Sequence, residues 1–281
     1  MDHLHLLTCK AELQGLVSLA ADGDVLHLIP DSTQQNIQPM SAALNYQMGF
    51  QNMRPLLSRM GIADTTLRIP NGTSVNGTAA FKGNDYKATA RMKSLGGNLS
   101  IDAATNLDSE RYKVALLADG FPLSAFLPTL GASDFSGSLT AEGLKFDPTS
   151  PRALTDLKAQ VDSLRFSDID LNNLKLAANI AQQQLDARFS AYNTAIEGEG
   201  TVQGNFINGY HLNLDAIMEH CSLQQLAGAK ADVGLGSMIN IDFDSDEAFE
   251  AFQTKGSLCY NHFDTPERSV ICQLTRNSLI F

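Results

Sequence analysis

The sequence predicts a mostly β protein, an antiparallel sheet with one apolar face, one polar face and few helices. Most of its 281 residues fall into short segments in which apolar and polar side chains alternate, which is the period of a half-buried strand. Turn-forming residues separate these segments at intervals of about ten residues, as in an antiparallel meander. Stretches with helical spacing are short and few, so helices cannot cover the whole apolar face.

The alternating segments define the predicted strands in the middle and later parts of the chain. They are residues 77–83, 86–92, 97–105, 137–146, 171–180, 184–191, 195–206 and 210–218. The turns between them are rich in Gly, Asn, Asp and Ser, at residues 83–85, 96–98, 108–110 and 207–209. Turns this short join neighbouring antiparallel strands.

Within each segment, every second residue belongs to one set and the residues between them to the other, and we call these two sets the parities of the segment. The two parities differ in chemistry. One parity is apolar, and the other carries Ser, Asp, Lys, Asn, Gln and Arg. Successive side chains of a strand point to opposite faces, so the apolar parity predicts one continuous apolar face. The residues predicted to line it are Leu99, Ile101, Val114, Leu116, Leu174, Leu176, Ile180, Leu185, Phe189, Leu212 and Leu214.

A strand followed by a short apolar helix occurs three times. The strands contain Tyr46, Tyr112 and Tyr210, and the predicted helices are residues 53–61, 121–130 and 222–230. The unequal spacing of the tyrosines indicates a degenerate repeat, with chance similarity of strand–helix pairs as the alternative. We expect these helices to brace the apolar face. The bracing residues of the second and third helices are Leu123, Phe126, Leu127, Leu223 and Leu226.

Two further segments have helical features. Residues 244–256 combine Asp244 as a possible N-cap with Glu247 three positions later, which predicts a helix. Residues 151–161 fit either a helix or a loop that leads into a strand.

The charge and hydropathy of the chain exclude some classes of function. The net charge is −11, and no cluster of Lys and Arg offers a surface for nucleic acid. No run of about 18 apolar residues predicts a membrane-spanning helix, and the N-terminus lacks a secretory signal. We therefore expect either a cytosolic protein or a piece of a longer chain. The apolar C-terminal segment favours a piece.

The four cysteines do not form a CxxC pair, so a zinc or redox motif is not expected. If residues 257–263 and 269–274 form a hairpin about Thr265 and Pro266, Cys259 and Cys272 face each other. This arrangement permits a cross-strand disulfide in an oxidising compartment. Two half-buried thiols are the alternative.

The search for catalytic and metal-binding motifs predicts a protein that is not an enzyme and has no cofactor. Residues 240–253 resemble the start of an EF-hand loop, but Glu247 stands where glycine is required and Gln253 where glutamate is required. His211 lies on the polar parity of its strand, as a surface histidine would. Aromatic residues are only 7% and Trp is absent, which disfavours a carbohydrate-active enzyme.

Part of the chain resembles a known family in its pattern of strands and in its composition. Residues 165–191 and 194–216, together with the units of Tyr112 and Tyr210, are similar to the AsmA/TamB group of bacterial envelope proteins, and to TamB-like proteins of Bacteroidetes type. These are kin of the chorein-type bridge proteins. The similarity extends over about residues 40–256 and includes no catalytic motif. An N-terminal membrane anchor and a C-terminal TamB module are not recognisable.

The resemblance implies a fold and a function. Its members form a long, curved antiparallel sheet with an apolar groove, stand in the periplasm, and are expected to carry phospholipid between the inner and outer membranes in envelope biogenesis. By this reading, residues 1–40 end an earlier repeat, residues 41–256 form the repeated groove, and residues 257–281 form a truncated hairpin. The parent chain would be anchored in the inner membrane.

An uncovered apolar face also favours this function on physical grounds. Soluble monomers rarely expose apolar patches of more than a few hundred Å² without a purpose, and each acyl CH₂ that such a face buries contributes about 0.8 kcal/mol. Phospholipid acyl chains are thus the first expected partner. The alternative is a non-enzymatic β-scaffold that assists outer-membrane protein assembly by strand pairing, with assembly proteins as partners.

Overall fold

The computed structural model describes residues 3–13, 15–26, 39–167, 169–222, 224–225, 234–246, 252–265 and 268–270. Over these residues the fold class is confirmed, because the chain is mostly β and forms a large antiparallel sheet with few helices. The chain divides into two compact units, which we call unit 1, Met1–Thr140, and unit 2, Ala141–Phe281. The domain boundaries predicted at residues 40 and 256 stay predictions.

Unit 1 is a meander in which β1 to β7 are hydrogen-bonded antiparallel in chain order. Its strands are β1 (His3–Leu13), β2 (Val17–Leu26), β3 (Ser41–Phe50), β4 (Thr73–Lys82), β5 (Asp85–Ser94), β6 (Gly97–Asn106) and β7 (Arg111–Pro122). Helix α1 (Arg54–Arg59) follows β3, and helix α2 (Leu123–Phe126) and a 3-10 turn (Pro128–Leu130) follow β7. Strand β8 (Asp134–Leu144) contains the boundary between the units.

Short turns with left-handed backbone set the register of this meander. The hairpin between β5 and β6 turns on Leu95 and Gly96, whose φ angles of 48° and 90° are both in the left-handed region. A tight hairpin turn of this kind matches the twist of the strands that it joins. Leu95 adopts this conformation although it is not the Gly, Asn or Asp that usually does.

Unit 2 continues the same pattern with longer connections. Its strands are β9 (Leu154–Ser163), β10 (Arg165–Phe166), β11 (Ile169–Asp170), β12 (Leu174–Ala181), β13 (Gln184–Tyr192), β14 (Ile196–Asn205), β15 (Tyr210–Cys221), β16 (Gly234–Ser245), β17 (Phe252–Thr265) and β18 (Arg268–Val270). The sheet order is β9, β12, β13, β14, β15, β16, β17, β18, and all these pairs are antiparallel. Strands β10 and β11 form a separate small ribbon. Residues 151–161 are therefore a loop leading into a strand, the second of the two readings.

The helix predicted for residues 244–256 is wrong at both of its ends. Asp244 is part of β16, and residues 253–256 are part of β17, where Asp244 and Gln253 are cross-strand partners. Residues 247–251 lie outside the described residues. The capping pattern is a local preference, and pairing of β16 between two long strands overrides it.

The C-terminal hairpin exists with a different register from the one predicted. Thr265 pairs with Arg268 and Phe263 with Val270, so these pairs are centred one position later than the predicted turn about Thr265 and Pro266. The pairing of Cys259 with Cys272 stays a prediction. Cys272 itself lies outside the described residues.

The first two strand–helix units are confirmed. Helix α1 lies within residues 53–61, and α2 with the 3-10 turn lies within residues 121–130, although Phe121 and Pro122 still belong to β7. Of the third helix, residues 224 and 225 are helical. Leu223 and Leu226 lie outside the described residues.

Candidate functional site

One face of unit 1 is apolar along almost every ladder of cross-strand partners. Partners that lie directly opposite each other share a face of the sheet. Following the partners from β3 to β7 therefore gives rows of residues across the sheet, which we call ladders. The ladders are Met48, Val75, Met92, Leu99, Ala118; Tyr46, Gly77, Ala90, Ile101, Leu116; Leu44, Ala79, Ala88, Ala103, Val114; and Ala42, Phe81, Tyr86, Thr105, Tyr112. The predicted residues Leu99, Ile101, Val114 and Leu116 are thus on one face.

Unit 2 has the same arrangement. Its apolar ladders from β9 to β16 are Ala159, Leu176, Phe189, Gly200, Ala216, Ile239; Leu157, Ala178, Ala187, Val202, Leu214, Ile241; and Thr155, Ile180, Leu185, Gly204, Leu212, Phe243. Leu174 continues this face between Val161 and Ala191. All seven predicted residues of this unit therefore lie on one face. We call the two surfaces the apolar faces of unit 1 and of unit 2.

The opposite faces are held by hydrogen bonds between polar side chains of neighbouring strands. These bonds lie on the polar parity, where exposed pairs contribute at most about 1 kcal/mol each. Examples are Asn45 to Asp22 at 2.9 Å, Arg91 to Asp102 at 2.9 Å, Asn213 to Asp242 at 2.7 Å, His211 with Asp244 at 2.7 Å, and Asn240 to Asp215 at 2.6 Å. His211 is on the polar face, as predicted.

The apolar faces are only partly covered by the described residues. Leu176 is 39% exposed, and the other ten predicted residues are half-buried. The largest side chains that are fully buried are Thr73, Ser222 and Ser237. Two sheets packed face to face would instead enclose Leu, Ile and Phe side chains completely. The side chains of both apolar faces therefore keep accessible surface.

The large buried apolar residues are concentrated at one end of unit 1. They are Met53, Leu57, Val75 and Phe121. The ring of Phe121 stacks on Phe126 with centroids 5.0 Å apart. The backbone N–H of Arg68 donates to the carbonyl of Phe126 at 2.8 Å, which ties the segment after α1 to α2. We call this end, where β3 and β7 run into the helices, the capped end.

The predicted bracing residues of α2 belong to this capped end. Leu123, Phe126 and Leu127 are half-buried there, which agrees with a short helix that covers one end of a sheet and leaves the rest open.

Glycines on the apolar faces have a packing role that the sequence reading missed. Tyr46 reaches across Gly77, and its hydroxyl donates to the carbonyl of Thr89 at 2.8 Å. Strand β14 places three glycines on the apolar face of unit 2, and neighbouring side chains lean over them. A Cβ at Gly200 would lie 2.5 Å from Cζ of Phe189. The signal was available, because Gly198, Gly200 and Gly204 share one parity of the strand.

A cavity of about 630 Å³ in unit 2 is lined by residues of both the polar and the apolar parity. Its lining includes Arg188, Glu199, Asp215, Ile217 and Met238, which lie on the polar parity. Of the predicted apolar-face residues it includes Phe189.

Titratable groups with altered pKa values lie away from the centres of the apolar faces. Burial raises the pKa of the Cys221 thiol, so the thiol stays protonated and unreactive at neutral pH. The carboxylate of Glu199 raises the pKa of Tyr192, with smaller effects from burial, Glu219 and Glu197. Within the described ranges, no three His, Cys, Asp or Glu residues are grouped so that they could hold a metal ion.

No helix among the described residues is long and apolar enough to cross a membrane. No family model, curated protein or solved structure matches the chain.

Proposed function

We propose that the apolar faces hold phospholipid acyl chains, in a segment of a periplasmic bridge-like protein that carries phospholipid between the inner and outer membranes. The observation that supports this most strongly is the register. It collects the apolar residues of successive strands on one face, and those residues stay only half-buried. The membrane setting rests on the resemblance to the AsmA/TamB group.

The chemistry of the faces suits an acyl chain better than a small polar ligand. Binding of a hydrocarbon chain is non-directional and depends on the apolar area that is removed from water. Small-molecule sites instead place a few polar groups among apolar walls, whereas the ladders through Ile101 and Leu214 contain Ala, Val, Leu, Ile, Tyr and Gly. A surface of this kind holds a chain at many equivalent positions, which is what a carrier requires.

The test compares adjacent leucines of β7 that point to opposite faces. Leu116 is on the apolar face, and Leu117, which is 58% exposed, is on the polar face. Leu116→Asp removes apolar contact and adds a charge beside the chain, so we expect binding of a phospholipid with a fluorescent acyl chain to weaken by about tenfold or more. Leu117→Asp should bind within about twofold of the unmodified protein.

Circular dichroism of both variants checks that the sheet is retained, and Leu116→Asn repeats the test without a charge. The proposal is wrong if both aspartate variants lose binding equally, or if Leu116→Asp binds as the unmodified protein does.

A further inference from the structure

The apolar face of unit 1 is covered unevenly along its strands. On β5 the exposure of this face rises from 3% at Ser94 to 40% at Tyr86, and Ala88, a side chain easily buried by neighbours, is exposed. On β4 the same face begins with Thr73 and Val75, both buried, and on β7 it ends with buried Ala118. On β3 to β7, the buried residues of this face lie at the capped end.

The cover lies over the apolar face and not around the whole end of the sheet. At the same end, the polar-face residues Lys93, Leu117 and Asp119 are exposed. On the apolar face, the two hydroxyls of Thr73 and Ser94 at the capped end already have partners. The Thr73 hydroxyl donates to the Pro70 carbonyl at 2.7 Å, and the Thr73 and Ser94 hydroxyl oxygens lie 2.8 Å apart, within hydrogen-bonding distance.

The other end of the apolar face has side chains that suit an interface between an apolar and an aqueous environment. Tyr86 stacks on Phe81 with ring centroids 5.9 Å apart, and Tyr112 lies on the same ladder. Tyrosine combines an apolar ring with a polar hydroxyl and suits such a boundary. We call the ladder of Phe81, Tyr86, Thr105 and Tyr112 the tyrosine rim.

The next ladder at this end of the strands, Lys82, Asp85, Asn106 and Arg111, is charged and polar and lies on the opposite face of the sheet. Lys82 and Arg111 are exposed at the ends of β4 and β7. In the same turns, Asp85 accepts a hydrogen bond from Asn106 at 2.8 Å and Asp108 accepts one from Asn84 at 2.7 Å. The tyrosine rim is therefore the last ladder of the apolar face, and the strand ends beside it are polar.

From this polarity, and resting on the proposed function, we infer that unit 1 binds a phospholipid in one orientation. The acyl chain lies along the strands with its methyl end toward α1 and α2, and the headgroup lies at the tyrosine rim. The six residue steps from Tyr86 to Met92 extend about 20 Å, enough for one leaflet's acyl chain of about 15 Å. The reverse orientation would place a phosphate against the buried apolar side chains of the capped end, where the Thr73 and Ser94 hydroxyls already have partners.

The absence of Trp from the chain permits a direct test by fluorescence quenching. Tyr86→Trp and Met92→Trp place single reporters on one strand and one face, and Lys93→Trp is the control on the polar face. The ligands are two phosphatidylcholines, one brominated near the carbonyl carbons and one brominated near the methyl ends. Thr105→Trp and Leu99→Trp repeat the pair on β6, in case a β5 variant does not fold.

We expect methyl-end bromines to quench Met92→Trp at least about twice as strongly as Tyr86→Trp, and bromines near the carbonyls to give the opposite order. Equal quenching at both positions, or the reverse order, overturns the orientation and leaves the proposed function standing. Quenching of neither reporter by either lipid overturns the proposed function, and the orientation with it. Quenching of Lys93→Trp as strong as that of Met92→Trp overturns the assignment to the apolar face.

Discussion

Phe121→Ala is expected to lower the free energy of unfolding by about 3–5 kcal/mol, the usual cost of deleting a buried phenylalanine ring. Phe121 is 6% exposed and stacks on Phe126 where α2 meets the sheet. Its removal leaves a cavity at the capped end, which is where the large buried apolar residues of unit 1 are concentrated. Urea denaturation followed by circular dichroism measures the change.

The matched control for this substitution is Leu130→Ala. Leu130 follows α2 closely but is 42% exposed, so its truncation should change stability by less than about 1 kcal/mol. If the two variants are equally stable, the capped end is not the core of unit 1 that we describe.

Gly200→Val is expected to lower the free energy of unfolding by about 3 kcal/mol, at the upper end of the usual cost of overpacking. A Cβ at Gly200 would lie 2.7 Å from the carbonyl oxygen of Asp215 and 2.9 Å from the Cβ of Ala216. The carbonyl belongs to the paired strand and cannot rotate away, and the ring of Phe189 would have to leave the apolar face of unit 2.

Thr201→Val, the next residue of β14, controls for adding a β-branched apolar side chain to the same strand. Thr201 is on the polar parity, and the change there is nearly isosteric, so we expect less than about 1 kcal/mol. Equal stability of Gly200→Val and Thr201→Val in urea denaturation would show that the absence of a side chain at Gly200 has no packing role.

The strands and their faces were predictable because a half-buried antiparallel strand keeps its alternation in the sequence. The strand predicted over residues 97–105 coincides with almost all of β6, Gly97–Asn106. Each of the eleven predicted apolar-face residues lies on the apolar face of its unit. Parity places the apolar residues of one strand on one face, and burial of these faces together favours the register that aligns them across strands.

Features that depend on long-range pairing were not predictable in the same way. The helix expected from Asp244 and Glu247 rests on a capping pattern, but Asp244 pairs with His211 and Gln253 on neighbouring strands. The pairs of the C-terminal hairpin are centred one position later than predicted. The prediction used only the local turn preference of Thr265 and Pro266, whereas the register is set by the pairing of β17 with β18. The uneven cover of the apolar face of unit 1 depends on where α1 and α2 pack, which the local spacing of residues 53–61 and 121–130 does not contain.

The central claim is that the apolar faces are open and take up acyl chains. Native mass spectrometry of the purified chain, after incubation with phospholipid vesicles and their removal, tests it most directly. We predict additional species with the mass of one or more bound phospholipids, which are lost when Leu116→Asp and Leu214→Asp are combined and are kept when Leu117→Asp and Ile217→Asp are combined. A folded, unmodified chain observed only at its own mass would contradict the account.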